Sequence, residues 1–153
     1  MNVVLYQPDI ALNVGAIIRL CACLDVRLHI VEPCGFPFDM KKVRQSALDY
    51  IDKIELIRHV DWEAFTDFHK KHKGTLYLLS TKADVSYSQA FFKEDDYLIF
   101  GRESSGAGKE VWSYIDKALK IPLRKDCRSL NLASSVAIVL GESLRQTSYI
   151  GLE

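Results

Sequence analysis

NVVLYQPDIALNVGAIIRLCACLDVRLHIV, residues 2–31, decides the fold. Asn2–Tyr6 is a short, nearly continuous apolar run, the pattern of a strand covered on both faces. Asn13 has the character of a helix N-cap, and Val14, Ile17, Ile18, Cys21 and Leu24 follow at helical spacing on one face, which predicts a helix from Asn13 to about Leu24. Arg27–Val31 (RLHIV) is a second strand. A strand, a helix and a strand in succession form the building unit of an α/β domain with a mainly parallel sheet.

The alternation continues outward from this unit. The breaker-rich EPCGFPF is followed by a basic amphipathic helix near Asp39–Asp49 and a short strand at Ile54–Val60. Asp61 caps a helix reaching about His72, with Trp62, Phe65, Phe68 and His69 at helical spacing. Thr75–Ser80, Tyr97–Phe100 and Leu119–Leu123 read as further strands, and a last helix runs from about Leu132 to Gln146. The expectation is one α/β domain over residues 1–153, a mainly parallel sheet flanked by helices, without repeats or linkers.

Composition narrows the function classes. With 48% hydrophobic and 26% charged residues, the chain has the balance of a soluble globular protein and not of a disordered one. Lys+Arg and Asp+Glu both number 20, so a polyanion would have to be met by a local patch or by a surface built in an oligomer. The longest apolar run, Leu132–Leu140, is far shorter than the roughly 20 residues of a membrane span, and Met1 is followed by no secretory leader pattern. A cytoplasmic protein with buried free thiols is therefore expected, since Cys21, Cys23, Cys34 and Cys127 lack paired metal-ligand spacing. The four histidines form no metal pattern either, and His29 in its strand reads as a core or edge residue.

Parallel sheets bind ligands at loops beyond the carboxyl ends of their strands. Here these are Gln7–Leu12, Glu32–Phe38, Thr81–Asp84, Gly101–Gly108 and Arg124–Asn131. GRESSGAGKE (101–110) is neither a phosphate loop, because Ala107 occupies the lysine position, nor a dinucleotide fingerprint, because Val111 stands where the third glycine belongs. Two readings stand for it: a flexible turn, or backbone lining a ligand with Glu103 among glycines. In the helix after the first strand, Gly15, Arg19 and Ala22 share one stripe, so Arg19 leaves a face flanked by small residues and suits a partner surface or a phosphate. The segment from Leu132 to Gly141 is small or apolar all round, which predicts burial on most sides, with Ala133, Ser134, Ala137 and Gly141 admitting other backbones. Arg128, Ser129 and Asn131 then place polar donors at a helix N-terminus, where backbone N–H groups are also free. Of the basic clusters at Lys41–Arg44, Lys70–Lys73 and Arg124–Arg128, only the third coincides with a candidate site.

Taken in order, three segments resemble the motifs of the SPOUT class of S-adenosylmethionine-dependent RNA methyltransferases. They are Asn13, Gly15 and Arg19 after the first strand, Phe100-Gly101-Arg102-Glu103-Ser104-Ser105-Gly106 at the end of another, and Ile121-Pro122 with Ser129-Leu130-Asn131-Leu132-Ala133. The similarity spans the whole chain, including VLYQPDI and RLHIVEPCGF, and is greatest to the small tRNA 2′-O-ribose methyltransferases of the wobble cytidine or uridine in leucine tRNAs. Arg102 stands where close relatives often have proline, and Val14-Gly15-Ala16 varies a usually more polar stretch.

The resemblance implies a deep C-terminal trefoil knot, a homodimer with the active site at its interface, and tRNA, through its anticodon stem-loop, as partner in place of DNA or a membrane. It implies S-adenosylmethionine as the cofactor, no metal, and an adenosylmethionine site lined by Leu79, Gly101, Ile121, Ser129 and Leu130. It implies further that Asn13, Glu103 and Asn131 belong to the catalytic constellation, and that Arg19 activates the hydroxyl from the other subunit. 2′-O-methylation of another tRNA or rRNA position, a non-catalytic RNA-binding module on the same fold and a Rossmann-type nucleotide enzyme are the rival readings, the last disfavoured by the failed glycine fingerprints.

Overall fold

The structure, a computed structural model, describes residues 1–39, 43, 45 and 48–153. Among the described residues, seven strands form one sheet: β1 (Asn2–Tyr6), β2 (Arg27–Val31), β3 (Leu56–His59), β4 (Leu76–Leu79), β5 (Val85–Ser86), β6 (Tyr97–Phe100) and β7 (Lys117–Lys120). Their order is β3-β2-β1-β6-β4-β7-β5, and every pairing between them is parallel. The helices with described bounds are α1 (Ala11–Cys23), α2 (Trp62–Lys70), α3 (Lys109–Trp112) and α4 (Leu132–Gln146), with 3₁₀ turns at Leu48–Lys53 and Tyr87–Gln89.

The two faces of the sheet carry separate cores because side chains alternate along each strand. On one face Val3, Leu5, Leu28, Ile30 and Leu98 pack against Val14, Ile17, Ile18 and Cys21 of α1 and Val136, Val139 and Leu140 of α4. On the other, Val4, Tyr6, Leu78, Tyr97 and Ile99 meet Phe65 of α2 and Val111 of α3. Central strands covered on both sides are apolar throughout, which is why β1 and β6 are buried at every position.

Several expectations need correction. Asn13 does not cap α1: the helix begins at Ala11 after the extended Ile10, and the Asn13 side chain is engaged elsewhere. The strand expected at Leu119–Leu123 lies at Lys117–Lys120, since Pro122 has no N–H to give a ladder and the chain leaves the sheet before it. The last helix starts at Leu132 as expected, with Asn131 accepting from Ser134 N at 3.2 Å, but it is not buried all round. Ser134, Ala137 and Ile138 are exposed, and no atom lies within 4 Å of a methyl added at Gly141. Of the cysteines, all free, only Cys21 is buried; burial pushes its thiol up to about 12. The two-residue β5 and the single turn α3 carry too little pattern to be read in advance. The basic helix expected at Asp39–Asp49 falls mostly outside the described residues. No helix among those described is long and apolar enough to cross a membrane.

His29 of β2 is fully buried, and its Nδ1 lies 3.0 Å from His59 Nε2 of β3, within a box of Phe65, Phe68 and Tyr97. The Asn2 amide donates to the Asp95 and Asp96 carbonyls, which turns its oxygen toward His29 Nε2 at 3.5 Å. His29 thus donates to Asn2 and accepts from His59, an arrangement that needs the His29 ring neutral. Burial holds His29 down to about 3, with the neighbouring His59 a lesser cause, and burial lowers His59 as well. The unfolded chain therefore binds protons that the folded chain refuses, so stability is full above about pH 6.5 and declines as pH falls toward 3. Between pH 6.5 and 5, where ordinary carboxylates remain ionised, urea unfolding should show a slope that approaches about 1.4 kcal/mol per pH unit from His29. A flat profile in that window would contradict a neutral His29.

Candidate active site

A cavity of about 700 Å³ opens beyond the carboxyl ends of β4, β6 and β7 and the start of α4. Its apolar wall is Leu79, Phe100, Ile121, Leu123, Leu132 and Trp112, and its polar rim includes Ser80, Lys82, Glu103, Arg128 and Ser129. Gly101 is required where β6 turns into the loop, because a Cβ there would fall within 2.5 Å of the backbone at Gly106 and Ala107. The loop closes on itself through Arg102 N donating to Gly106 O at 3.1 Å and Gly106 N to Arg102 O at 2.9 Å, with Gly106 at φ +73°.

A relay of amides links the three motif segments. Asn131 Oδ1 accepts from Ser134 N, so its Nδ2 faces outward and donates to Asn13 Oδ1 at 2.9 Å. Asn13 Nδ2 must then point the other way, and it donates to Glu103 Oε1 at 3.0 Å. The second oxygen, Glu103 Oε2, accepts from Asp9 N at 2.7 Å. Each oxygen keeps lone-pair capacity for another donor, so the carboxylate is fixed in place yet open to a ligand.

Tyr6 at the end of β1 ties down the next element. Its phenol donates to Glu110 Oε1, which fastens α3 and with it Trp112. Burial first, then the Glu110 carboxylate, pushes the phenol up to about 12, and the same bond holds Glu110 below the usual carboxylate range.

The structure thus brings Leu79, Gly101, Ile121, Ser129 and Leu130 to one cavity, together with Asn13, Glu103 and Asn131 at its edge. Arg19 is not among the lining residues. It leaves α1 about 120° round the helix from Asn13, is exposed, and lies with its guanidinium 5.1 Å from the centre of the Tyr50 ring. Trp112, Ser80 and Ser135 also line the cavity without having been singled out in the sequence. Ser80 could have been found from its place at a strand's carboxyl end, whereas Trp112 depends on the short α3.

The cavity suits a nucleoside-sized ligand, being within the roughly 300–1,000 Å³ of small-molecule sites and apolar with a few polar groups at its rim. No cluster of His, Cys, Asp and Glu among the described residues could hold a metal ion.

Comparison with known proteins agrees with this geometry. A tRNA (cytidine(34)-2′-O)-methyltransferase of Beijerinckia indica is 47% identical over 142 residues, covering 93% of this chain and 89% of that protein. A structure described as giving insights into 2′-OH methylation of C/U34 on tRNA superposes with a TM-score of 0.90 at 36% identity, covering 96% of this chain and 95% of that one. A SpoU methyltransferase of Streptomyces viridochromogenes in complex with AdoMet shares the fold, with a TM-score of 0.87 at 22% identity over 97% of this chain and 60% of that one. The model of the SpoU rRNA methylase family matches residues 1–141, and the chain belongs to that family.

Proposed function

We propose that this protein transfers a methyl group from S-adenosylmethionine to the ribose 2′-hydroxyl of the wobble nucleotide, position 34, of tRNA, with leucine tRNAs as its substrates. The observation that carries the proposal is the Glu103–Asn13–Asn131 relay at the edge of a nucleoside-sized cavity. The relatives' names and the family's use of S-adenosylmethionine support it.

Leu79, Gly101, Ile121, Ser129 and Leu130 would hold the cofactor, whose sulfonium supplies an electrophilic methyl group. The protein's own residues must exclude water, bring the ribose hydroxyl into place and stabilise the charge its oxygen acquires. The apolar walls at Leu79, Ile121 and Trp112 serve the first need. Glu103 and Asn131, held by their mutual partner Asn13, serve as fixed acceptor and donor for the second. For the third, a guanidinium is a donor rather than a base, so Arg19 acts as a cation that stabilises the developing oxyanion.

Arg19 meets the cavity of a second copy in this reading, within a homodimer. Its support is the stripe Leu12, Ala16, Arg19 and Cys23 along the outer side of α1, all exposed, with Leu12 exposed by 74%. Ile138, 39% exposed, and Ala137 extend an apolar surface on the adjoining α4. We infer too that residues 1–153 form one domain, that the passage from β7 to α4 is knotted, and that the anticodon stem-loop is bound in the cytoplasm.

Mass-spectrometric mapping of tRNA treated with the protein and S-adenosylmethionine should find one added ribose methyl, at position 34 of leucine isoacceptors. Methylation elsewhere, or none, would overturn the assignment. Arg19→Ala should lower the rate of transfer about 10²–10³-fold while leaving S-adenosylmethionine affinity within twofold by isothermal titration; wild-type turnover would remove Arg19 from the mechanism. Mixing inactive Arg19→Ala and Glu103→Ala protomers should restore about a quarter of wild-type activity, because half the dimers then carry one intact composite site. No recovery would place Arg19 in its own protomer's site or outside it.

A further inference from the structure

Asp9 does not line the cavity, yet it holds much of what does. Its Oδ1 accepts from Arg102 Nη2 at 2.7 Å and Nε at 3.2 Å. Its Oδ2 accepts from Ser104 Oγ at 2.6 Å and Ser104 N at 3.0 Å. Four donors thus converge on one carboxylate, and all four belong to the loop that walls the cavity from Arg102 to Ala107. The Asp9 backbone N–H reaches the same loop at Glu103.

Asp9 is itself fixed from two sides. Gly35 N donates to Pro8 O at 2.9 Å, and Gly35 lies so close that a Cβ on it would stand 2.8 Å from Asp9 Cα. Gln7 takes a left-handed conformation, φ +47°, that a residue other than glycine adopts rarely. Gln7 N donates to Val31 O at 2.9 Å, and Gln7 Oε1 accepts from Arg102 Nη1 at 3.4 Å. The turn after β1 is therefore a rigid anchor, and the 102–106 loop hangs from it.

We propose that Asp9 is a positioning residue for cofactor binding, its carboxylate clamping the 102–106 loop in the shape that walls the cavity. The proposal rests on the reading of the cavity as the S-adenosylmethionine site. The side chains of Asp9 and Arg102 are only 18% and 32% exposed, so the pair is shielded more than an ordinary surface pair. The bonds from Arg102 and Ser104 hold the Asp9 carboxyl down to about 2, so the clamp stays charged and closed throughout the neutral range. An amide cannot replace it: whichever way Asn is turned, its Nδ2 faces donors from Arg102 or Ser104. The backbone bond to Glu103 survives that change.

Asp9→Asn, with Arg102→Gln breaking the clamp from its more exposed side, tests this. Amide hydrogen exchange of peptides covering 101–108 should quicken about tenfold in either variant, the scale of a lost hydrogen bond to a charged group. Isothermal titration should show S-adenosylmethionine bound about tenfold more weakly. The KM for the cofactor should rise by the same factor while kcat stays within twofold. The double variant should be no worse than Asp9→Asn alone, since that change already breaks the contact with Arg102. Unchanged loop exchange, or loosened exchange with unchanged affinity, overturns the proposal, as does a loss confined to kcat. If the wild-type protein binds no S-adenosylmethionine, the methyl-transfer reading and the cofactor role fail together, while loop exchange still decides whether Asp9 clamps the loop.

Discussion

Two amide side chains in series join three loops that are far apart in sequence. Asn131 reaches Asn13 across 118 positions, and Asn13 reaches Glu103 across 90. The orientation of the whole relay follows from one backbone group, the Ser134 N–H at the start of α4, which forces the Asn131 oxygen inward. Every later donor and acceptor is then determined, because an amide has one end of each kind. The contact is possible only because the sheet is parallel: β1 and β6 send their following loops to the same edge, and α4 begins there. A strand reversed in this sheet would carry its loop to the opposite end of the molecule.

The α1 helix shows how one short element serves three purposes. Val14, Ile17, Ile18 and Cys21 bury one side against the sheet. Asn13 looks toward the cavity, and Leu12, Ala16, Arg19 and Cys23 face outward. A helix that meant only to fill the core would put polar residues on the outer stripe, where an exposed leucine gains nothing from burial. The same departure recurs in α4 at Ala137 and Ile138, and the two helices pack on each other. Exposed apolar residues on two adjoining helices are a reason to expect a cover.

Strand and helix periodicity made the central architecture legible. β1, β2 and β6 have the bounds expected of them because a strand buried on both faces is a mostly apolar run. What escaped has physical causes. Asn13 looked like a cap because a sequence cannot show that Glu103 and Asn131, brought near only by the fold, compete for its side chain. The outer face of α4 looked buried because small and apolar residues are the same letters whether they meet the chain's own core or another surface. Asp9 stood out least of all. An acidic residue after a proline is an ordinary turn, and its partners Arg102 and Ser104 lie more than ninety positions away. The residues named for the cofactor cavity came from motif resemblance, since helix burial and charge by themselves left Arg128–Asn131 only modestly favoured as a site.

Charge bears on how a neutral chain could hold RNA. Many of its arginines are already spoken for: Arg27 meets Glu55, Arg58 meets Glu32, Arg102 meets Asp9, Arg124 meets Asp126 and Arg145 meets Glu142. The Arg124–Arg128 cluster, which looks strongly basic in sequence, is weakened by its own Asp126, and of its cations Arg128 lines the cavity. Phosphate contacts supply most nonspecific affinity for RNA, in proportion to the cations that meet them. In the proposed homodimer, a second copy would add its own cations without raising the net charge of either. Arg19, exposed with its guanidinium over the Tyr50 ring, is the kind of cation such a composite surface would recruit.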